Sequence, residues 1–272
     1  MKFILFITAA FIVSARPCQA QRGDSLATLK LFMKVCNSYK QLPVQVDLDI
    51  TNSANILVTA EDSSHTRATF VLRKEGSYID LGDMEQIAND SVILLVSKRM
   101  KRMLLYSNTR SVSQQLQLSV GLQLKDSSLL RLAGRYTAAG TAIAKDTAEI
   151  GITGRLVVRM TNLPAETIRL KYDPVSYQPY EIRQVKRSLR PLTETDYRQL
   201  LSQGFTEGGA LIHSDNRYYV VREQVSVYRY DRITHAPGDR LPVTIDDRIT
   251  GDGNGNYKAI SKYEGYSVSR EF

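Results

Sequence analysis

The stretch of sequence that decides the fold is residues 68–106, which read ATFVLRKEGSYIDLGDMEQIANDSVILLVSKRMKRMLLY. Runs of aliphatic and aromatic residues alternate there with turn signals, namely Lys-Glu-Gly at 74–76, Asn-Asp at 89–90 and a basic turn at 98–102. Short strands joined by short turns are typical of an antiparallel meander. The predicted strands are 68–73, 78–87, 92–97 and 103–106.

Residues 44–50, just upstream, predict one more strand. Aliphatic residues occupy the even positions and polar residues the odd ones, and this period of two places all the aliphatic side chains on one face. Asp47 and Asp49 fall on the polar face. We expect these carboxylates to keep the strand solvated rather than to form a catalytic or metal-binding pair.

An amphipathic helix is predicted before this strand, with Asp24 or Ser25 as its N-cap and an end at Leu42-Pro43. Its apolar stripe has the spacing of one helix face. The stripe consists of Leu26, Leu29, Phe32, Val35, Cys36 and Tyr39. Because Cys36 lies in this stripe, we expect it to be a small buried apolar side chain rather than a reactive thiol.

Residues 1–20 are typical of a secretory signal. Lys2 precedes an apolar run from Phe3 to Val13, which is too short to cross about 30 Å of hydrocarbon as a helix, and Ala20 offers a cleavage point. Cleavage would remove two cations and no acid, so the net charge of +8 would fall to +6. It would also remove Cys18, whose lipidation is the alternative, and would leave no pair of cysteines for an internal disulfide.

Downstream, the sequence predicts further short elements. Residues 116–124 alternate strictly but also satisfy a helical spacing, so their type stays open, and residues 138–148 indicate a loop or a weak strand. The other predictions are a hairpin of 167–172 with 180–185, a helix over 193–201 capped by Thr193 or Thr195, paired strands within 218–230, and a closing hairpin over 257–268.

The composition and motifs indicate a folded, non-enzymatic protein with no cofactor. With 43% hydrophobic and 24% charged residues, the chain is neither disordered nor fibrous. The three histidines are scattered, no G-x-S-x-G motif occurs, and no Cys or His cluster has zinc-ligand spacing. Residues 251–256 (GDGNGN) predict an ordinary turn, with a calcium loop as the minor alternative because Tyr257 and Tyr263 occupy positions where that loop needs glycine and an acid.

The positive charge invites a nucleic-acid interpretation, but the only dense basic site is the turn at 98–102. We expect no nucleic-acid partner. A basic hairpin tip normally protects against aggregation, and contact with an anionic membrane surface or envelope protein is the alternative. The residues of this candidate contact are Lys98, Arg99, Lys101 and Arg102.

The helix over 26–39, the strand over 44–50 and above all the meander over 68–106, followed by the hairpin over 167–185, resemble the LolA/LolB-like family of bacterial periplasmic lipoprotein carriers. The resemblance covers residues 25–190. It implies a mainly β (α+β) fold, with a curved antiparallel sheet or incomplete barrel, the N-terminal amphipathic helix and one or two covering helices. It also implies a concave apolar face that holds acyl chains, and a place in the periplasm or at the outer-membrane periphery of a Gram-negative bacterium.

The resulting domain prediction is a signal peptide over 1–20, a LolA-like β domain over 21–190, and a tyrosine-rich β extension over 191–272 that packs on or continues the sheet. The apolar face would bind a lipid or lipoprotein, or would simply be a filled core. Its candidate residues are Val46, Leu48, Ile50, Phe70, Leu72, Ile79, Leu81, Leu94 and Leu105. The rival hypothesis is an envelope interaction module for a protein or glycan, with no internal ligand.

Overall fold

The computed structural model describes residues 17–38, 41–107, 126–144, 146–252 and 256–271. The strands are β1 Val44–Ala54, β2 Ser63–Leu72, β3 Gly76–Asp80, β4 Met84–Asn89, β5 Val92–Ser97, β6 Arg102–Ser107, β7 Tyr136–Ala144, β8 Thr147–Gly154, β9 Glu166–Tyr172, β10 Pro179–Leu192, β11 Leu211–Ser214, β12 Arg217–Thr234, β13 Ile249–Gly251, β14 Tyr257–Ala259 and β15 Ser267–Glu271. Thirteen of them form one sheet, in which twelve strands follow the order β15-β6-β5-β4-β3-β2-β1-β12-β10-β9-β8-β7 and β11 pairs with β12 off this path. The remaining two strands, β13 and β14, form a small separate sheet.

Three α-helices occur among the described residues: α1 Pro17–Asn37, α2 Asp126–Arg135 and α3 Glu194–Ser202. None of them is long and apolar enough to span a bilayer. The fold is therefore the predicted one, a mainly β open sheet with an N-terminal helix and further helices. All neighbouring strands of the main sheet are antiparallel except β15, which runs parallel to β6.

Helices α1 and α2 cover one face of strands β7 to β9, which we call the helix face. Leu29, Phe32 and Val35 of α1 are buried against sheet residues such as Ile150 and Leu170, and Cys36 is buried in the same cluster as predicted. The described part of the helix runs from Pro17 to Asn37, so it includes the predicted cap residues Asp24 and Ser25. Ser25 lies inside the helix and its hydroxyl accepts a hydrogen bond from the Ala138 backbone.

The helix face continues across the centre of the sheet. Directly opposed residues on neighbouring strands point to the same face, and each step in the row is such a pair. The row runs Ile150, Leu170, Ile182, Tyr228, Ile50, Thr66. Strands β8, β9, β10, β12, β1 and β2 therefore share one helix face.

The opposite face, which we call the far face, is covered over β2 to β6. There residues 241–252 and 256–268, which we call the C-terminal cover, pack onto Val71, Tyr78, Ile87 and Leu94 in a second apolar cluster. Arg248 of the cover forms an ion pair of 3.0 Å with Glu85 of β4, and both side chains are buried. The two halves of the sheet thus bury opposite faces.

One strand prediction within the meander is corrected. Residues 78–87 are two strands, since the Asp80 carboxylate accepts a hydrogen bond from the Gly82 backbone and Gly82 adopts a φ of +75°, which reverses the chain. Residues 138–144 lie in β7 and residues 147–148 in β8, in agreement with the strand alternative predicted for this segment. The other meander strands, the hairpin of β9 with β10, and helix α3 with its Thr193 cap are confirmed.

The C-terminal third also differs from the prediction. Residues 218–230 lie in one continuous strand, because residues 222–224 contain no turn-forming residue. Strand β12 instead forms a hairpin with β11, and Asp215 and Asn216 make the turn between them. Residues 257–268 are not a hairpin, since β14 pairs with β13 and β15 joins β6. The segment 116–124, for which the sequence predicts either a strand or a helix, lies outside the described residues.

Candidate functional site

The candidate site is the helix face of β1 and its neighbours, between the two covered halves. Six of the nine predicted apolar residues are brought together there by strand register. They are Val46, Leu48, Ile50, Phe70, Leu72 and Ile79. Val46 and Leu72 are buried, whereas the other four keep part of their surface exposed. We call this set the apolar face.

Strand β12 supplies side chains that the sequence interpretation had not assigned to this face. Tyr230 is opposite Leu48, Tyr228 is opposite Ile50, and both tyrosines are half-buried. Ile233 and Tyr230 pack against the cluster of Val44, Val46 and Leu72. The sequence signal was the alternation of Tyr228 and Tyr230 with arginines and aspartate, which is the pattern of a strand with one half-buried face.

Three predicted residues do not join the apolar face. Leu94 and Leu105 are fully buried on the far face, under the C-terminal cover, so the prediction that they share the face of Val46 is wrong. Strands β5 and β6 are apolar on both faces, and alternation therefore cannot show which way each leucine points. Leu81 lies in the turn after β3 and is exposed.

The basic turn contains one cation that is already engaged. The Nζ atom of Lys98 lies 3.0 Å from Glu85 and 3.2 Å from Asp80. Partial burial by itself would lower the pKa of Lys98, but the hydrogen bonds to Glu85 and Asp80 outweigh it and raise the pKa. Arg99, Lys101 and Arg102 are exposed. Their contact with an anionic surface stays a prediction, and it does not depend on Lys98.

A cavity of about 370 Å³ lies on the far face, between β1 to β3 and the start of the C-terminal cover. Its lining residues are Gln45, Thr69, Val71, Tyr78, Asp80, Pro237, Arg240 and Pro242. Burial raises the pKa of Tyr78 to about 12, helped by the nearby charges of Glu85 and Asp80. Tyr78 therefore stays a neutral donor to Asp80 at physiological pH.

The two strand carboxylates, Asp47 and Asp49, lie on the far face, and neighbouring side chains engage both of them. The Asp49 carboxylate lies 2.7 Å from His65, and the Asp47 carboxylate lies 3.0 Å from Arg232 and accepts a hydrogen bond from Thr69. Within the described ranges, no group of three or more His, Cys, Asp or Glu residues could hold a metal ion.

The glycine-rich segment 251–256 lies between β13 and β14, which pair with each other. The Asp252 carboxylate accepts hydrogen bonds from the backbone and the side-chain amide of Asn256. These hydrogen bonds join the two described ends of the segment. Residues 253–255 lie outside the described ranges.

Comparisons with known proteins found similarity only at the level of structure. No family model matches the chain, and no curated protein matches it. The structure is similar to a LolA superfamily protein from Nitrosomonas europaea, with 12% identity, a TM-score of 0.26, and coverage of 80% of this chain and 95% of that one. It is also similar to a putative outer membrane lipoprotein-sorting protein domain from Vibrio parahaemolyticus, with 8% identity, a TM-score of 0.25, and coverage of 78% and 93%.

Proposed function

We propose that this chain is an exported, non-enzymatic envelope protein that binds a hydrophobic or amphiphilic ligand, such as a lipid or the acyl chains of a lipoprotein, on the apolar face. The observation that carries the proposal is the incomplete burial of Leu48, Ile50 and Phe70 at the centre of the sheet. A side chain that merely fills a core would be buried as completely as Leu170, which has no exposed surface.

The chemistry of the face suits an acyl chain. Aliphatic side chains of β1 to β3 supply apolar surface, and each methylene of a ligand buried against them would contribute about 0.8 kcal/mol. Tyr228 and Tyr230 combine an apolar ring with a hydroxyl, and such side chains suit the boundary between an apolar ligand and water. The family resemblance of residues 25–190 points to the same ligand class and to a periplasmic or outer-membrane location.

The rival proposal is an interaction module without an internal ligand. The tyrosine-rich C-terminal residues give this rival little support, because Tyr257, Tyr263 and Tyr266 pack against the apolar cluster under the C-terminal cover. Its basic tip keeps three exposed cations beside Met100, which is 61% exposed. Contact of that tip with an anionic envelope surface is compatible with either proposal.

The test is native mass spectrometry of the chain purified from its own envelope. We expect a bound species with the mass of a lipid or lipid-modified peptide. Ile50→Gln, which places an amide on the apolar face, should lower the bound fraction, whereas Thr51→Gln places the same amide on the far face of the same strand and should not. Repeated recovery without a lipid mass, or an equal effect of the two variants, would contradict the proposal.

A further inference from the structure

The loop between β8 and β9, residues 155–165, exposes an unusual amount of apolar surface. Leu156 is 77% exposed, Val157 56%, Met160 42% and Leu163 40%. Single exposed apolar side chains are normal on protein surfaces, but four in one short loop form a patch of the kind that marks an interaction site. We call these residues the β8–β9 loop.

This apolar surface is held in a defined conformation. The Val158 amide donates to the Leu163 carbonyl at 2.8 Å, and the hydroxyl of Thr161 donates to the Val158 carbonyl at 2.9 Å. Val158 itself is buried and anchors the loop, while Met160 is held at a φ of +65°. A non-glycine residue persists in that conformation only where its surroundings impose it.

The loop is also tied to the rest of the sheet on both sides. The backbone and guanidinium of Arg155 donate to the carbonyls of Arg135 and Ala133 at the end of α2. On the other side, Arg187 of β10 donates to the carbonyls of Pro164 and Ala165. The exposed side chains are therefore presented by a scaffold, and little conformational entropy would be lost when a partner covers them.

The positive charge of the loop favours an anionic partner. Residues 155–165 contain two arginines, Arg155 and Arg159, and no acid. Arg159 is exposed and forms no ion pair with any carboxylate that the structure describes. Apolar side chains flanked by cations suit the boundary of a bilayer, where apolar groups enter the acyl region and arginines meet lipid phosphates.

We infer that the β8–β9 loop docks the protein onto an anionic phospholipid surface, with Leu156, Val157, Met160 and Leu163 inserted at the boundary between the headgroups and the acyl chains. This surface is separate from the basic turn at 98–102 and from the apolar face. It would place the protein at a membrane whether or not the apolar face holds a ligand, so the two proposals can fail independently.

The chain has no tryptophan, and a single introduced tryptophan therefore reports its own surroundings. Leu156→Trp places the reporter in the β8–β9 loop. Val175→Trp is the matched control, because Val175 is 84% exposed in the turn before β10, which joins the opposite ends of the strands. Both full-length variants keep the apolar run Phe3–Val13, so any binding that this run causes is common to them.

With vesicles of phosphatidylcholine and phosphatidylglycerol, we expect the emission of Leu156→Trp to move to shorter wavelength and that of Val175→Trp to stay unchanged. The double variant Leu156→Ser/Val157→Ser should lose vesicle affinity by about ten-fold or more. Arg159→Gln should weaken binding to these vesicles but not to vesicles of pure phosphatidylcholine, and added salt should do the same.

Three results would overturn the inference. One is no emission change at either reporter, and another is an equal change at both. The third is a vesicle-independent emission change of Leu156→Trp that grows with protein concentration and coincides with dimer formation in light scattering, which would mean that a second copy of the chain covers the loop. Thermal unfolding of each variant checks that the fold is intact.

Discussion

The two halves of the main sheet are stabilised in opposite ways. From β7 to β10 the helix face is buried under α1 and α2, while the far face carries charged side chains, such as Glu149, Lys171 and Glu181, that are half-buried. From β2 to β6 the far face is buried under the C-terminal cover. Between the two covered regions, on the apolar face around β1, Leu48, Ile50 and Phe70 keep part of their surface exposed.

On the far face, positively and negatively charged side chains alternate from strand to strand. Cross-strand neighbours from β8 to β2 follow the order Glu149, Lys171, Glu181, Arg229, Asp49, Arg67. Glu181 forms ion pairs with Lys171 at 3.1 Å and with Arg229 at 3.2 Å. We call this row the charge ladder. Opposite charges placed directly across strands stabilise the register without any cover.

The largest difference between the covered and the uncovered face is expected for two adjacent leucines of β6. Leu105 is fully buried under the C-terminal cover, and Leu104 is half-buried on the other face. Leu105→Ala should lower the free energy of unfolding by about 2–5 kcal/mol because it leaves a cavity. Leu104→Ala should cost about 1 kcal/mol, as part of its surface is already hydrated. Urea unfolding measures both, and equal costs would show that the cover does not bury one face selectively.

The next test removes the ion pair that fastens the C-terminal cover. Arg248→Met leaves the buried Glu85 carboxylate with Lys98 as its remaining cation. Breaking a buried pair in this way should cost about 3 kcal/mol. The released cover should also become more sensitive to proteolysis.

The matched arginine for that test is Arg229, which is 61% exposed in the charge ladder. Arg229→Met should cost less than about 1 kcal/mol. If the two substitutions had the same cost in urea unfolding, the buried pair would not fasten the cover.

The smallest expected effect concerns the charge ladder itself. Glu181→Gln removes both of its ion pairs and should lower the free energy of unfolding by about 0.5–1 kcal/mol. The difference from the unmodified chain should shrink at high salt, because exposed pairs are screened. A cost that is large and independent of salt would mean that Glu181 acts through packing rather than through charge.

The strands could largely be predicted from the sequence, because alternation and turn residues are local signals. The positions of β1, β5, β9 and the Thr193 cap follow from a few neighbouring residues each. Strand order could not be predicted in the same way. Nothing near Leu48 indicates that its neighbour is Tyr230, and the placement of β12 between β1 and β10 depends on packing across the whole chain.

The candidate site could be predicted only where a strand has one apolar face. Alternation over 44–50 assigned Val46, Leu48 and Ile50 to one face correctly, whereas the run VILLV at 92–96 has no polar face to orient it. The β8–β9 loop gave no signal that distinguished it from a buried segment. Its role depends on exposure, which only the folded structure shows.

The position of β12 also has a consequence for how the chain reaches this structure. Asp47 and Arg232 are 185 residues apart in the sequence, yet they pair at the centre of the sheet. Contacts of such long range form slowly. Until residues 217–234 have been synthesised and docked, β1 and β10 each present an open hydrogen-bonding edge. Wrong pairing or aggregation during biogenesis should therefore begin at these two central strands rather than at the outer edges of the finished sheet.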